Sequence, residues 1–299
     1  MEHKIDLFLD SGAFSAFTQG IKIDIQEYIS FIKEHKDAIS VYANLDVIGK
    51  NKDSARRTYQ NQKIMEKAGL NPLPVFHLHE PFKYLKRYCN TYEYISLGAM
   101  VGSSSVVLIP WLDRCFSEYI CDPSGMPKIK VHGFGMTSLK LMLRYPWYSV
   151  DSTSWVLTGR LGGVYVPRYA QGKWFYDANS WKIQVSDRSP SKKEAGKHIS
   201  TLSKGKQRIV LDYFKHKGYQ VGESEFHTES DSYELKDTER WFGKACDGKR
   251  EVETIIEPGL CNIYQQRDEL NVIYFKDLED SMPEWPWLYK PLNTIGQLL

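Results

Sequence analysis

Three aspartates, Asp10, Asp46 and Asp151, each close a short apolar run, and His77 and His132 lie within two others. In parallel α/β proteins, carboxylates at the C-terminal ends of strands stand where active sites are built. Two carboxylates are the minimum for a double displacement at a sugar carbon, one as nucleophile and one as acid/base. A third suits the edge of guanine, whose N1–H and 2-amino group are adjacent donors for an ionised carboxylate. Phe14 can stack on a base, and the turns at Gly98-Ala99 and His132-Gly133 let backbone N–H groups approach a carbonyl. The plainer readings use the same residues: Asp as a turn or cap residue, Phe14 as partly core, His132 as a satisfied structural histidine.

The elements that must position these residues alternate. Ile5–Leu9 reads as a buried strand ending in Asp10, and Asp24 N-caps a helix to about Glu34. Further strands are expected at Ile39–Leu45, Leu73–Leu78, Tyr94–Leu97, Ile129–Val131 and Tyr148–Val150. Helices fall between them, at Lys52–Ala68, Pro81–Cys89, Ser103–Tyr119 (kinked or restarted at Pro110) and Met136–Arg144. Alternation at this pitch implies right-handed crossovers and a parallel sheet. The expected fold is α/β, a TIM-like (β/α)8 barrel, irregular or incomplete, over residues 1–190, with a C-terminal α+β extension over 191–299. Gly163–Arg168 and Asn271–Lys276 are the candidates for the two missing strands. An aromatic hairpin is expected over Trp174–Val185, a basic linker over Ser186–Gln207, a helix at Arg208–Lys217 and an acidic loop over Ser224–Asp237.

The 42% hydrophobic and 25% charged fractions of the 299 residues are ordinary for a globular protein, and 13% aromatic is high. A formal charge of +2 gives no global case for nucleic acid, so a basic surface must be local. One candidate is the stretch carrying Lys192, Lys193, Lys197, Lys204, Lys206 and Arg208, which reads equally as a phosphate-contacting arm or a solvated loop. Five scattered cysteines, no apolar run of spanning length and no signal peptide in MEHKIDLFLD lead to a cytoplasmic expectation, with no membrane partner.

Five segments together resemble the tRNA-guanine transglycosylase superfamily, in the family's order and over about half the chain. The family's DSGG-aromatic segment is similar to Asp10-Ser11-Gly12-Ala13-Phe14, with Ala for the second Gly. Its later strand-end Asp looks like Asp46. Its IVQGG strand resembles Val75-Phe76-His77, with His for Gln, which favours His77 over His79 as the inward residue. Its GLAVGE turn is similar to Leu97–Gly102, and its MGVG segment to His132-Gly133-Phe134-Gly135 leading on to Asp151. The family's zinc site has no counterpart, since only Cys246 and Cys261 follow Asp151. Ser152–Trp155 replaces the Pro-Thr-Arg stretch, and the chain begins almost at the DSG segment. These departures are closer to the compact DpdA-type relatives of phages, which put 7-deazaguanines into DNA.

The resemblance implies a ping-pong exchange by a glycosyltransferase of the pentosyl class. Asp151 would attack C1′ of a deoxyguanosine, expel guanine and hold a covalent glycosyl-enzyme. Asp10 would take the proton from an incoming preQ0-like base. Asp46 would read the base edge, Gly98 and Ala99 would donate backbone hydrogen bonds, and Phe14 would stack. The implied partners are DNA, with tRNA as the alternative, a 7-deazaguanine base, and a second copy or partner subunit. No cofactor is required, because one glycosidic bond replaces another. Two rivals remain: a metal-dependent barrel hydrolase using His77, His132 and Asp151, with His79 as a further ligand, and an inactive nucleic-acid or 7-deazaguanine binding module.

Overall fold

The computed structural model describes residues 7–49, 52–136, 138–189 and 194–290. They fall into two compact units, one running to Ser152 and resuming at Pro283, the other spanning Thr153–Met282. Residues 153–189, expected with the barrel, fall in the second unit.

The first unit alternates strand and helix: β1 (Leu7–Leu9), α1 (Ala13–Gln19), α2 (Ile25–Glu34), β2 (Ile39–Tyr42), α3 (Lys52–Lys67), β3 (Val75–His77), α4 (Phe82–Thr91), β4 (Tyr94–Gly98), α5 (Ser105–Arg114), β5 (Lys130–Gly133), α6 (Leu139–Arg144) and β6 (Ser149–Val150). Ile5 and Asp6, expected to begin β1, lie outside the described residues. The Asp24 carboxylate caps α2 as expected, accepting from the N–H groups of Gln26 at 2.7 Å and Glu27 at 3.2 Å. That helix buries Tyr28, Ile29 and Ile32 against Leu45 and Met65. Pro110 stays inside α5 rather than breaking it, and the helix continues as a π-helical stretch over Cys115–Ile120.

Among the described residues the strands β1 to β6 pair in parallel. β1 pairs with β2, and β3, β4, β5 and β6 follow in sequence order, the two runs joined by a bridge between Ala43 and Leu73. The sheet curls strongly. Phe8 of β1 stacks on His132 of β5 with ring centroids 4.4 Å apart, whereas strands four places apart in a flat sheet lie about 19 Å away. Among the described residues no pairing joins β6 back to β1, so no closed barrel is seen. The strand-to-helix loops on the C-terminal side of the curl carry Asp10, Asp46 and Asp151.

The returning segment completes this unit. Tyr289 is buried, donates its N–H to the Gly125 carbonyl at 2.9 Å and its hydroxyl to Asp113 Oδ1 at 2.7 Å, and stacks on Tyr145. Trp285 donates its indole N–H to the Pro146 carbonyl at 3.2 Å.

The second unit contains α7 (Ser154–Arg160), β7 (Gly163–Val166), β8 (Arg168–Ala170), β9 (Lys173–Phe175), β10 (Trp181–Gln184), α8 (Lys204–His216), β11 (Glu223–Ser230), β12 (Glu239–Cys246), β13 (Lys249–Glu257) and α9 (Tyr264–Ser281). Neither candidate barrel strand serves as one. Gly163–Val166 pairs antiparallel with Trp181–Gln184, and residues 271–276 lie inside α9. Helix wins there because Leu270, Tyr274 and Leu278 recur at four-residue spacing and are all buried. The expected 174–185 hairpin is split, since β9 turns back onto β8 and β10 onto β7. The acidic 224–237 loop is largely strand β11, one edge of the antiparallel order β11-β13-β12. Glu253 is fully buried in β13 and accepts from Arg188, Arg240 and Ser224, which balances its charge.

Among the described residues no helix is long and apolar enough to cross a membrane, and all five cysteines are free.

Candidate active site

Two layers of side chains occupy the C-terminal side of the curled sheet. The outer layer is reachable from solvent: Asp10, Phe14, Ala99 and Asp151 are all exposed, Phe14 to 54%. The layer beneath holds Ser11, His77, Glu80, Gly98, His132 and Gly133, all buried, with Asp46 nearly so.

Asp151 follows directly on β6. Its N–H donates to the Gly133 carbonyl at 3.2 Å, and its Oδ1 accepts the Gly135 N–H at 2.6 Å. Gly135 has φ +64°, and a Cβ there would stand 2.3 Å from Val101 Cγ2, so only glycine lets this amide approach the carboxylate. The Asp151 side chain remains 49% exposed. Desolvation raises its pKa, and the Gly135 amide opposes that rise.

Asp10 follows β1, with Oδ1 accepting the Ser11 N–H at 2.7 Å. Desolvation and then the Asp46 charge raise its pKa, the charge of Asp151 adds to this, and the Ser11 amide lowers it. Asp10 thus senses the charges of both other aspartates. Raised carboxyl pKa values beside a strand-end nucleophile candidate are what acid/base work near neutral pH requires.

Asp46 is differently placed. Its Oδ1 accepts the Ser11 hydroxyl at 2.7 Å and its Oδ2 the His77 Nε2–H at 2.8 Å, with 9% of the side chain exposed. The loop that carries it is pinned by α3, where Thr58 Oγ1 accepts the Val47 N–H and Asn61 Nδ2 donates to the Leu45 carbonyl. A base edge would have to share its oxygens with two internal donors.

His77 has no nitrogen left for a substrate. Its Nδ1 lies 3.3 Å from Glu80 Oε1, an ion-pair contact rather than an aligned hydrogen bond, and its backbone N–H donates to Glu80 Oε2 at 3.1 Å. Burial alone would lower the His77 pKa, but the flanking carboxylates outweigh it and raise it to about 10. The site floor therefore holds an imidazolium between Asp46 and Glu80. Gly98 makes room for it, because a Cβ there would meet His77 Cδ2 at 2.9 Å. The substrate-contact role expected for His77 becomes one of holding Asp46.

His132 is buried beneath Asp151, its ring between Phe8 (stacked) and Phe134 (edge-on, 4.5 Å). Burial pushes its pKa down to about 4, so the ring is neutral. The Cβ direction of Gly133 points at Trp147, 3.1 Å away, so Gly133 contributes its carbonyl to Asp151 rather than a surface to a ligand.

Of the basic stretch, the described residues divide between a loop and a helix. Lys192 and Lys193 lie outside the described residues. Lys197 pairs with Glu194, Lys204, Lys206 and Arg208 fall in the first turns of α8, and Lys206 sits over the Trp181 ring. For the metal-hydrolase reading, no three His, Cys, Asp or Glu side chains gather to hold a metal among the described residues. His77 would have to release a carboxylate to serve.

Sequence reasoning passed over Ser11, Glu80, Ser149 and Tyr94. Ser11 ties Asp10 to Asp46, and its position inside the DSG turn was the available signal. Glu80 lies three residues beyond His77, where a carboxylate reads as solvated. Comparison with protein-family models, curated proteins and solved structures finds no match to this chain.

Proposed function

We propose that this chain is a transglycosylase that exchanges guanine in DNA for a 7-deazaguanine base through a covalent Asp151 glycosyl intermediate. On this reading the curled parallel sheet is an irregular, incomplete barrel of the (β/α)8 type, with six of the eight strands. The observation that carries it is an exposed, amide-held Asp151 together with an Asp10 whose pKa is raised by desolvation first and then by the charges of Asp46 and Asp151. Unlike environments for neighbouring carboxylates separate nucleophile from acid/base. In the first half-reaction Asp151 Oδ2 bonds to C1′ as the C1′–N9 bond breaks, the bond pair goes to N9, and the departing guanine takes a proton from water. In the second, the incoming base bonds to C1′, gives its proton to Asp10, and the C1′–O bond breaks. The exposed Phe14 offers a stacking face for a base that has left the helix.

Labelled guanine or preQ0 offered with duplex DNA, single-stranded DNA and tRNA, without added metal, tests the reading. Label in DNA alone is the expected result. Label in tRNA keeps the chemistry and changes the substrate. No label with folded protein rejects the assignment.

Asp10→Asn is expected to block incorporation while trapping at Asp151 persists. Because the Asp10 pKa is raised, the wild-type incorporation rate should climb with pH above the ordinary carboxylate range, and this limb should vanish in the variant. Loss of folding in place of these changes would give Asp10 a structural role.

A further inference from the structure

His132 Nε2 is a buried nitrogen with no hydrogen-bond partner, and it faces Asp151 Oδ1 at 3.9 Å. An unmatched buried polar atom beside a reactive group calls for a reason. The other side of the ring is anchored: Nδ1 lies 2.8 Å from Ser149 Oγ, which lies 2.7 Å from the Tyr94 hydroxyl. Register places them together, since His132 and Ser149 are direct partners across β5 and β6. Phe8 and Phe134 hold the ring plane.

Two proton arrangements satisfy this chain. In one, Tyr94 donates to Ser149, Ser149 donates to Nδ1, and Nε2 carries the ring hydrogen. In the other, Nδ1 carries it and a bare Nε2 lone pair faces a carboxylate, which is repulsive. The electrostatics select the first, and the bond at Nδ1 sets the tautomer. The gap to Oδ1 is roughly 1 Å longer than a hydrogen bond, and such contacts tighten when substrate is bound.

We infer that His132 is a positioning residue that presents Nε2–H to Asp151 Oδ1, its tautomer fixed by Tyr94 and Ser149. The chemical consequence rests on Asp151 acting as nucleophile. Together with the Gly135 amide, the donor favours Asp151 as carboxylate over Asp151 as ester. It leaves Oδ2 as the attacking atom and assists the step in which the C1′–O bond breaks and its electron pair returns to the carboxylate. A structural role would slow both half-reactions alike. Loss of this role slows release and spares attack.

The test has two arms. In nitrogen NMR of the labelled protein, His132 should be neutral with the hydrogen on Nε2, and its Nε2 signal should move in Asp151→Asn. An Nδ1–H tautomer, or a signal indifferent to Asp151→Asn, overturns the inference whether or not the chain exchanges bases. Exchange absent on every nucleic acid, with the Nε2–H signal intact, rejects the transglycosylase reading instead. In the kinetic arm, His132→Phe should slow release of the covalent adduct roughly 10- to 100-fold, the worth of a hydrogen bond to a charged group, so adduct accumulates. Should His132→Phe fail to fold, Ser149→Ala and Tyr94→Phe keep the ring and free its tautomer. Adduct accumulation in them supports the inference, and equal slowing of both half-reactions overturns it.

Discussion

On the proposed reading, Asp151→Ala is expected to abolish base exchange, with a fall of roughly 10⁴- to 10⁶-fold, the range for removing a catalytic group that acts as part of a unit. Covalent trapping of the nucleic acid disappears with it. Folding survives, because the side chain is half exposed and the bond it loses is the one its Oδ1 accepts from the Gly135 amide. That loss costs about 2 kcal/mol, the worth of a hydrogen bond to a charged group. Nucleic-acid binding is retained, since the phosphate backbone supplies most of such affinity. A single-turnover gel assay for protein–nucleic-acid adduct, beside a binding isotherm, separates the two effects. Turnover near wild type would remove Asp151 from the nucleophile's role.

His77→Ala strikes the floor beneath that chemistry. It leaves Asp46 and Glu80 in a buried space without the imidazolium between them, and breaking a buried charge pair costs about 3–5 kcal/mol. Urea denaturation should register it as a large drop in midpoint. The pH dependence has a definite sign. The folded-state pKa of about 10 exceeds the ordinary 6.5, so the stabilisation is complete below about 6.5 and is lost as pH rises through about 10. Wild-type protein should thus weaken across that alkaline window, and His77→Ala should show no such slope. An unchanged midpoint in the variant would mean the carboxylates find other partners.

The strands that carry the three aspartates were legible because each is a short apolar run closed by a polar turn, and the Asp24 cap because its carboxylate precedes a periodic segment. The floor was not, since its bonds join residues far apart in sequence. Tyr94 and Ser149 are 55 residues apart, and Ser11 and Asp46 are 35 apart. In the second unit, the run at 271–276 fits strand or helix on apolarity alone, and only burial at 270, 274 and 278 decides. β11 was hidden by composition: exposed Glu223 and Glu225 alternate with half-buried Ser224 and Phe226, so acidity masked a period of two.

The return of the chain at Pro283 bears on the order of synthesis. Translation delivers β1 to β6 first, yet Tyr289, which closes over Gly125, Asp113 and Tyr145, emerges only after all of Thr153–Met282. Domains ordinarily fold as they leave the ribosome, N-terminal first. Here a nascent chain already bears the three aspartates while one wall of their unit is still untranslated. The unit that holds the three aspartates is therefore made early and sealed late.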